Sequence, residues 1–270
     1  MRLNTLESNL SADSPKGWTG TSAKDLASAM VLAAGRGERM RPLTDHTPKP
    51  MLKVHNKPLM QWHMEALAKA GHHDQLINTA WLGPQIETHF GLNPDLPKVG
   101  RIRLRYSHEG QDFGYALETA GGIVRALPYL AAVFWVVAGD IFAPAFDFSN
   151  QAAKDFEASD KLAHIWLVPN PAHNPGGDFG LSPEGLALNL PKPAALLTFS
   201  TFALYKKEFF DPLLTGMPEG NPQGTAAPLA PMLRAAMDRG QVSASLYTGP
   251  WTDVGTPERL QDLNQAPFNP

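Results

Sequence analysis

The chain has 270 residues, no cysteine, a formal net charge of -3, and 43% hydrophobic against 18% charged residues. Those figures suit a soluble enzyme with one sizeable core, and they exclude disulfides, thiolate-ligated metals and a thiol nucleophile. The slightly acidic balance argues against nucleic acid as a partner, and no run approaches the roughly 18 apolar residues that span a bilayer.

Residues 1–27 are polar, without sustained periodicity, and are expected to form a flexible extension ahead of a single domain over 28–270. They lack the basic start joined to an apolar stretch that marks a cleaved secretory signal. Trp18 is the residue there able to anchor on the body. Met30, Val31 and Leu32 then read as a buried strand, broken at once by Ala33, Ala34, Gly35, Arg36 and Gly37. Small residues leave the backbone free to curl, so that successive N–H groups converge on one concavity, as in phosphate cradles. Arg36, Arg39, Arg41 and Lys49 follow closely. Cations concentrated behind a buried strand in an acidic chain suit a small polyanion, although a surface loop with solvated arginines has the same composition. The stretch lacks the Gly-Lys-Ser/Thr ending of a Walker A loop, and Met40 stands where a dinucleotide fingerprint needs its third glycine.

Pro58 reads as the first position of a helix that stops at Gly71; 75–80 reads as a strand, and a short helix runs from Pro84 to Gly91. A strand is expected over 101–107, a polar glycine-bearing loop through the ETAGG segment, and then a helix through IVRALPYL. The run FWVVA at 134–138 is the most apolar strand, and Gly139 and Asp140 follow it directly. Ligands of open α/β sheets bind beyond the carboxyl ends of such strands. Later strands are expected over 162–168, 195–205 and 243–247, a helix over 228–238, and a loop over 251–255. Thr256 then caps a last helix with Pro257 at its first position. Alternating helices and strands predict an α/β fold on a mainly parallel sheet. No hexapeptide repeat supports a C-terminal β-helix, no metal-binding histidine spacing is present, and no G-x-S-x-G elbow occurs. Read alone, Asp140 is better taken as a helix N-cap or turn former and Asp253 as a loop aspartate.

The runs LAAGRGERMRPLT and PKPM, with ALETAGGI, AGD and WTDVGTPERL in that order, resemble the sugar-1-phosphate nucleotidyltransferases. The resemblance implies a three-layer α/β/α, Rossmann-like nucleotide-diphosphosugar transferase fold, and a cytoplasmic enzyme that uses UTP or another NTP with a sugar 1-phosphate, without obligate protein partner. Within the family, ETAGG is most similar to members that uridylylate N-acetylmuramic acid α-1-phosphate in cell-wall sugar recycling. The alternatives are glucose 1-phosphate with dTTP or UTP, mannose 1-phosphate with GTP, and a nucleotide sensor without turnover. The resemblance also implies site residues. Arg39, Lys49, Asp140 and Asp253 would be catalytic, with Mg²⁺ on Asp140 and Asp253. Leu32, Ala33, Ala34, Gly35, Arg36 and Gly37 would bind the nucleotide, as would Glu118, Thr119, Ala120, Gly121 and Gly122. Gly139, Asp178 and Lys192 would meet the sugar. Ala138 stands where an Asn commonly precedes Gly-Asp, and residues 111–116 form an insert before ETAGG.

Overall fold

The structure is a computed structural model describing residues 18–19, 26–190 and 195–268. Its sheet strands are β1 (Trp18–Thr19), β2 (Ala27–Ala33), β3 (Asp74–Thr79), β4 (Arg103–His108), β5 (Leu130–Ala138), β7 (Ala163–Val168), β8 (Thr198–Lys206) and β9 (Val242–Leu246). Two further strands, β6 (Ile141–Phe142) and β10 (Thr252–Asp253), pair only with each other. The eight-stranded sheet runs β1-β4-β3-β2-β5-β8-β7-β9. β4, β3, β2 and β5 are mutually parallel neighbours, whereas β8 is antiparallel to both β5 and β7. The chain leaves β2 toward β3 on one side and later returns to β5 on the other. That reversal opens the crevice in which open α/β sheets hold ligands.

The helices are α1 (Leu59–Lys69), α2 (Gly83–Phe90), α3 (Glu109–Phe113), α4 (Glu118–Ala126), α5 (Asn150–Ala158), α6 (Pro212–Thr215), α7 (Leu229–Asp238) and α8 (Pro257–Gln265). Strand alternation sorts the core into two layers, because successive side chains point to opposite faces. Met30, Phe134 and Val136 join Ile123 and Val124 of α4 and Leu233 of α7 in one cluster. Ala29, Val31, Trp135 and Val137 face the other way, against Met60, Met64 and Leu67 of α1 and Phe156 of α5. A third cluster joins Met40, Leu52, Val54, Leu59, Phe142 and Val254 beside the crevice.

Three expectations change. Pro58 caps α1 instead of opening it, since residues 53–54 and 57–58 form a tight hairpin whose turn places His55 and Asn56 at φ 50° and 64°. The ETAGG segment is the start of α4, not a loop. Its glycines serve close packing: a Cβ on Gly121 would lie 2.4 Å from the Thr225 carbonyl oxygen, and one on Gly122 2.6 Å from Glu109 Oε1. In the 251–255 segment, Thr252–Asp253 forms β10, and Asp253 lies in register with Ile141. The 111–116 insert folds partly as α3, and Tyr115 donates its hydroxyl proton to the Gly224 carbonyl at 2.9 Å.

Candidate active site

β2 delivers its last residue, Ala33, to the crevice, where the Ala33 N–H donates to Asn78 Oδ1 on β3 at 2.9 Å. The chain then turns through Gly37 at φ 68°. A Cβ on Gly37 would lie 3.0 Å from Lys49 Cβ and 3.1 Å from Thr44 Cγ2, so glycine is required for both conformation and space. Thr44 ties the loop down by donating its hydroxyl proton to the Gly37 carbonyl at 2.8 Å. Arg36 is committed to the loop itself: its guanidinium lies 3.5 Å over the Trp81 ring and donates to the Thr44 carbonyl at 3.2 Å. Arg41 pairs with Asp45 at 2.8 Å. Arg39, by contrast, is exposed and makes no hydrogen bond or ion pair among the described residues.

Lys49, Asp140 and Asp253 come from three distant segments and meet. Lys49 Nζ is 2.5 Å from Asp140 Oδ2 and 3.9 Å from Asp253 Oδ1, with only 9% of the lysine side chain exposed. Asp140 is placed by the end of β5, where the Gly139 N–H donates to the Leu32 carbonyl at 2.8 Å and the Asp140 carbonyl accepts from the Val254 N–H at 3.1 Å. His63 braces the same turn from below. Its Nε2–H donates to the Ile141 carbonyl at 2.8 Å, and burial pushes the imidazole down to about 4, so it is neutral at physiological pH. Asp253 is gripped from the opposite side by Arg259 of α8 at 2.9 Å, and His173 Nε2 lies 3.3 Å away.

Two adjoining cavities flank this cluster. One, of about 310 Å³, is bounded by Leu32, Ala33, Ala34, Gly35, Lys49 and Asp140. The other, of about 420 Å³, is walled by Val136, Asp178, Phe199, Thr201 and Arg234. Leu32, Glu118, Thr119 and Ala138 line both. Pairing between β5 and β8 ends at Val136 and Ala203, and the strands part beyond that point, which opens the larger cavity.

Of the expected nucleotide residues beyond the loop, Glu118 and Thr119 reach the cavities; Ala120, Gly121 and Gly122 are buried behind them. The Ala120 and Gly121 N–H groups donate to the Ala227 carbonyl at 2.9 and 3.2 Å, which leaves neither free for a base. Gly139 packs against Leu32, Pro50 and Met60 without lining either cavity. Asp178 lines the larger one, its carboxylate accepting from the Phe199 N–H at 2.9 Å. Lys192 lies outside the described residues.

Sequence reasoning missed Arg259, which stands in the WTDVGTPERL run, and the buried pair Asn78 and Glu109. Glu109 accepts from the Asn78 amide at 2.8 Å and from the Leu117 N–H at 2.7 Å, and so joins β3 to the start of α4. Burial raises its carboxyl to about 7 against the opposing pull of those donors and of Arg125. One clue was available: Asn78 is an amide that follows the apolar pair Leu76 and Ile77 near the carboxyl end of a strand.

Among the described residues no group of three or more His, Cys, Asp or Glu side chains is arranged to hold a metal. Asp140 and Asp253 nevertheless present hard oxygen donors within reach of one ammonium. A Mg²⁺ ion that keeps waters and takes phosphate oxygens needs no more than one or two carboxylates from the protein. The donor set therefore fits.

A family described as nucleotidyl transferase matches residues 28–188. Over 240 residues the chain is 45% identical to the N-acetylmuramate alpha-1-phosphate uridylyltransferase of Neisseria meningitidis serogroup B, covering 87% of this chain and 95% of that one. It is also 36% identical to the UTP–glucose-1-phosphate uridylyltransferase of Synechocystis, over 42% of this chain and 30% of that protein. A Bacillus anthracis structure described as a glucose-1-phosphate thymidylyltransferase superposes with a TM-score of 0.72 at 19% identity, across 90% of this chain and 97% of that one. That likeness shows the fold, a mostly parallel sheet flanked by helices, and no β-helix is present among the described residues. Membership of the family further implies a mechanism that uses a divalent metal and binds an NTP and a sugar 1-phosphate. With the signature loop, the Lys49–Asp140–Asp253 cluster and the matched length in agreement, this chain belongs to the sugar-1-phosphate nucleotidyltransferase family and is a nucleotidyltransferase.

Proposed function

We propose that the protein transfers the uridylyl group of UTP to N-acetylmuramic acid α-1-phosphate, giving the UDP-sugar and pyrophosphate. The observation that carries this reading is the 45% identity to the meningococcal uridylyltransferase over 95% of that protein's length. A phosphate oxygen of the acceptor attacks the α-phosphorus in line. The new P–O bond forms as the bond to the β-phosphate bridging oxygen breaks, and pyrophosphate leaves with the electron pair. The acceptor is already anionic, so no side chain has to deprotonate it.

In this reading the chain's work is positioning and charge compensation. Gly35 and Gly37 offer backbone donors to the β- and γ-phosphates, and the free guanidinium of Arg39 reaches over them. Lys49 compensates charge at the α-phosphate and on the acceptor phosphate. Mg²⁺ held by Asp140 and Asp253 would neutralise charge shared between the two substrates. Arg259 and His173 hold the Asp253 carboxylate in place. Leu32, Ala33, Ala34, Glu118 and Thr119 wall the nucleoside, and Asp178 meets the sugar. No helix of the described residues is long and apolar enough to cross a membrane. The cytoplasm, where UTP is made, is the compartment that fits, and recycling of cell-wall sugar is the role.

A matrix of NTPs against sugar 1-phosphates, scored by the nucleotide-sugar formed, tests the reading. UTP with N-acetylmuramic acid α-1-phosphate is expected to give the highest kcat/KM. Predominance of UDP-glucose, dTDP-glucose or GDP-mannose would overturn the substrate assignment and leave the family assignment standing.

A further inference from the structure

The larger cavity contains polar groups that the transfer chemistry does not use. Thr201 lies within an irregular stretch of β8: Ala203 pairs with Ile165 and Phe199 with Leu167, so residues 200–202 of β8 face Trp166 alone. Its backbone sits at φ 70°, a conformation that strains a β-branched residue, and such strain gathers at functional positions. Thr201 Oγ1 and the Tyr205 hydroxyl are both buried without a hydrogen-bond partner, and both residues line this cavity. Unsatisfied buried hydroxyls are costly in a folded protein, and this pair lies in the wall of the cavity just behind its surface.

The lining of this cavity also carries a cation. Arg234 of α7 donates through Nη1 to Asn189 Oδ1 at 2.8 Å and through Nη2 to the Asp178 carbonyl at 3.3 Å, with its guanidinium 4.9 Å from the Phe179 ring centroid. Asn189 is itself fixed by donating to Asp238 at 3.0 Å. Both acceptors of the guanidinium are neutral carbonyl oxygens, so they orient the fork without cancelling its charge. A guanidinium has five donors, and two are engaged. Held in this way at a cavity wall, it favours a planar anion.

Lys49, the cation assigned above to the phosphates, lines the smaller cavity and not this one. An anion at Arg234 is therefore a second one, on the body of the acceptor. We propose that Arg234 reads the carboxylate of the acceptor's lactyl ether. Arg234 thereby sets the preference for a carboxylated sugar 1-phosphate. This inference rests on the acceptor proposed above.

The test compares two acceptors with UTP at saturation: N-acetylmuramic acid α-1-phosphate, and the same molecule with its lactyl carboxylate converted to the carboxamide. In the wild-type protein, kcat/KM should favour the carboxylate at least about tenfold, with the difference in the acceptor KM. Arg234→Gln should collapse that ratio toward unity, and Arg234→Lys should retain part of it. A ratio unchanged in Arg234→Gln, or a wild type that treats acid and amide alike, overturns the role of Arg234. Should the glutamine variant not fold, the lysine variant decides, since a ratio equal to that of the wild type counts against the proposal. Failure of the acceptor assignment looks different: the wild type would then use neither compound efficiently and would turn over a neutral sugar 1-phosphate instead.

Discussion

At the scale of single residues, the site is a charge arrangement held by short contacts. Lys49 lies between two carboxylates, 2.5 Å from one and 3.9 Å from the other, and removing any member leaves charge uncompensated. Asp140→Ala and Asp253→Ala are each expected to lower kcat by at least about a hundredfold while the protein stays folded, as circular dichroism beside steady-state kinetics would establish. Lys49→Ala should depress kcat more than nucleotide affinity measured by calorimetry. Poor binding with unchanged turnover would instead assign the lysine to ground-state grip. Arg39→Ala should raise the UTP KM on the order of tenfold, and lysine should restore it incompletely, because an ammonium lacks the planar fork. Gly37 carries a different constraint. Alanine there meets Lys49 Cβ at 3.0 Å in a left-handed backbone, so Gly37→Ala should cost about 1–3 kcal/mol and displace the lysine. A denaturant titration measures the first effect and kcat the second.

At the scale of elements, the start of α4 is held from two directions. The Ala227 carbonyl accepts from its first-turn amides, and Glu109 connects it to Asn78 and so to the last residue of β2. Glu109 is fully buried, and burial raises its carboxyl to about 7. A raised carboxyl means that the folded state binds the proton more tightly than the unfolded chain does. The corresponding stability is fully present below about 4.5 and is lost as pH rises through about 7, on the order of 3 kcal/mol in all. Glu109→Gln should flatten this part of the pH dependence. It should also lower Tm at every pH, because one amide oxygen cannot accept from both the Asn78 amide and the Leu117 N–H. Thermal melts between pH 5 and 8 check both statements. His63 acts with the opposite sign: its folded value is lowered to about 4, so its contribution is present above about 6.5 and disappears as pH falls toward 4.

At the scale of the whole molecule, one sheet contributes residues to both cavities. The parallel strands β3, β2 and β5 line the smaller cavity, β8 lines the larger one, and β7 and β9 continue the same sheet beyond it. Because both core layers pack on this one sheet, a single cooperative unfolding transition is expected, with coincident fluorescence and circular dichroism curves. α8 is attached differently, through Asn264, which donates to the Lys53 carbonyl at 3.0 Å, and, just past its end, the Phe268 ring stacks on His55 at 4.6 Å. It brings Arg259 to Asp253 from the far end of the chain. Ending the chain after Thr256 should therefore abolish most activity while leaving the cooperative transition of the sheet in place.

The sequence by itself marked the main strands of the sheet and several of the helices, and it singled out the glycine loop after β2 together with Lys49, Asp140 and Asp253. These are local or compositional signals: an apolar run broken by glycine, a proline at a helix start, and short motifs in a family's order. The tertiary structure decided what each residue is free to do. Arg36 and Arg39 are the same residue type three positions apart, yet one is spent on Trp81 and Thr44 and the other is left open. The ETAGG glycines read as a flexible loop because glycine loosens an isolated chain. In the fold they lie where the Thr225 carbonyl and the Glu109 carboxylate leave no room for a Cβ. Arg234 and Asn189 sit 45 residues apart with no motif around either, and only the packing of α7 beside the parted strands joins them at one cavity. Such pairings depend on which surfaces the sheet brings into contact, and no stretch of neighbouring residues encodes them.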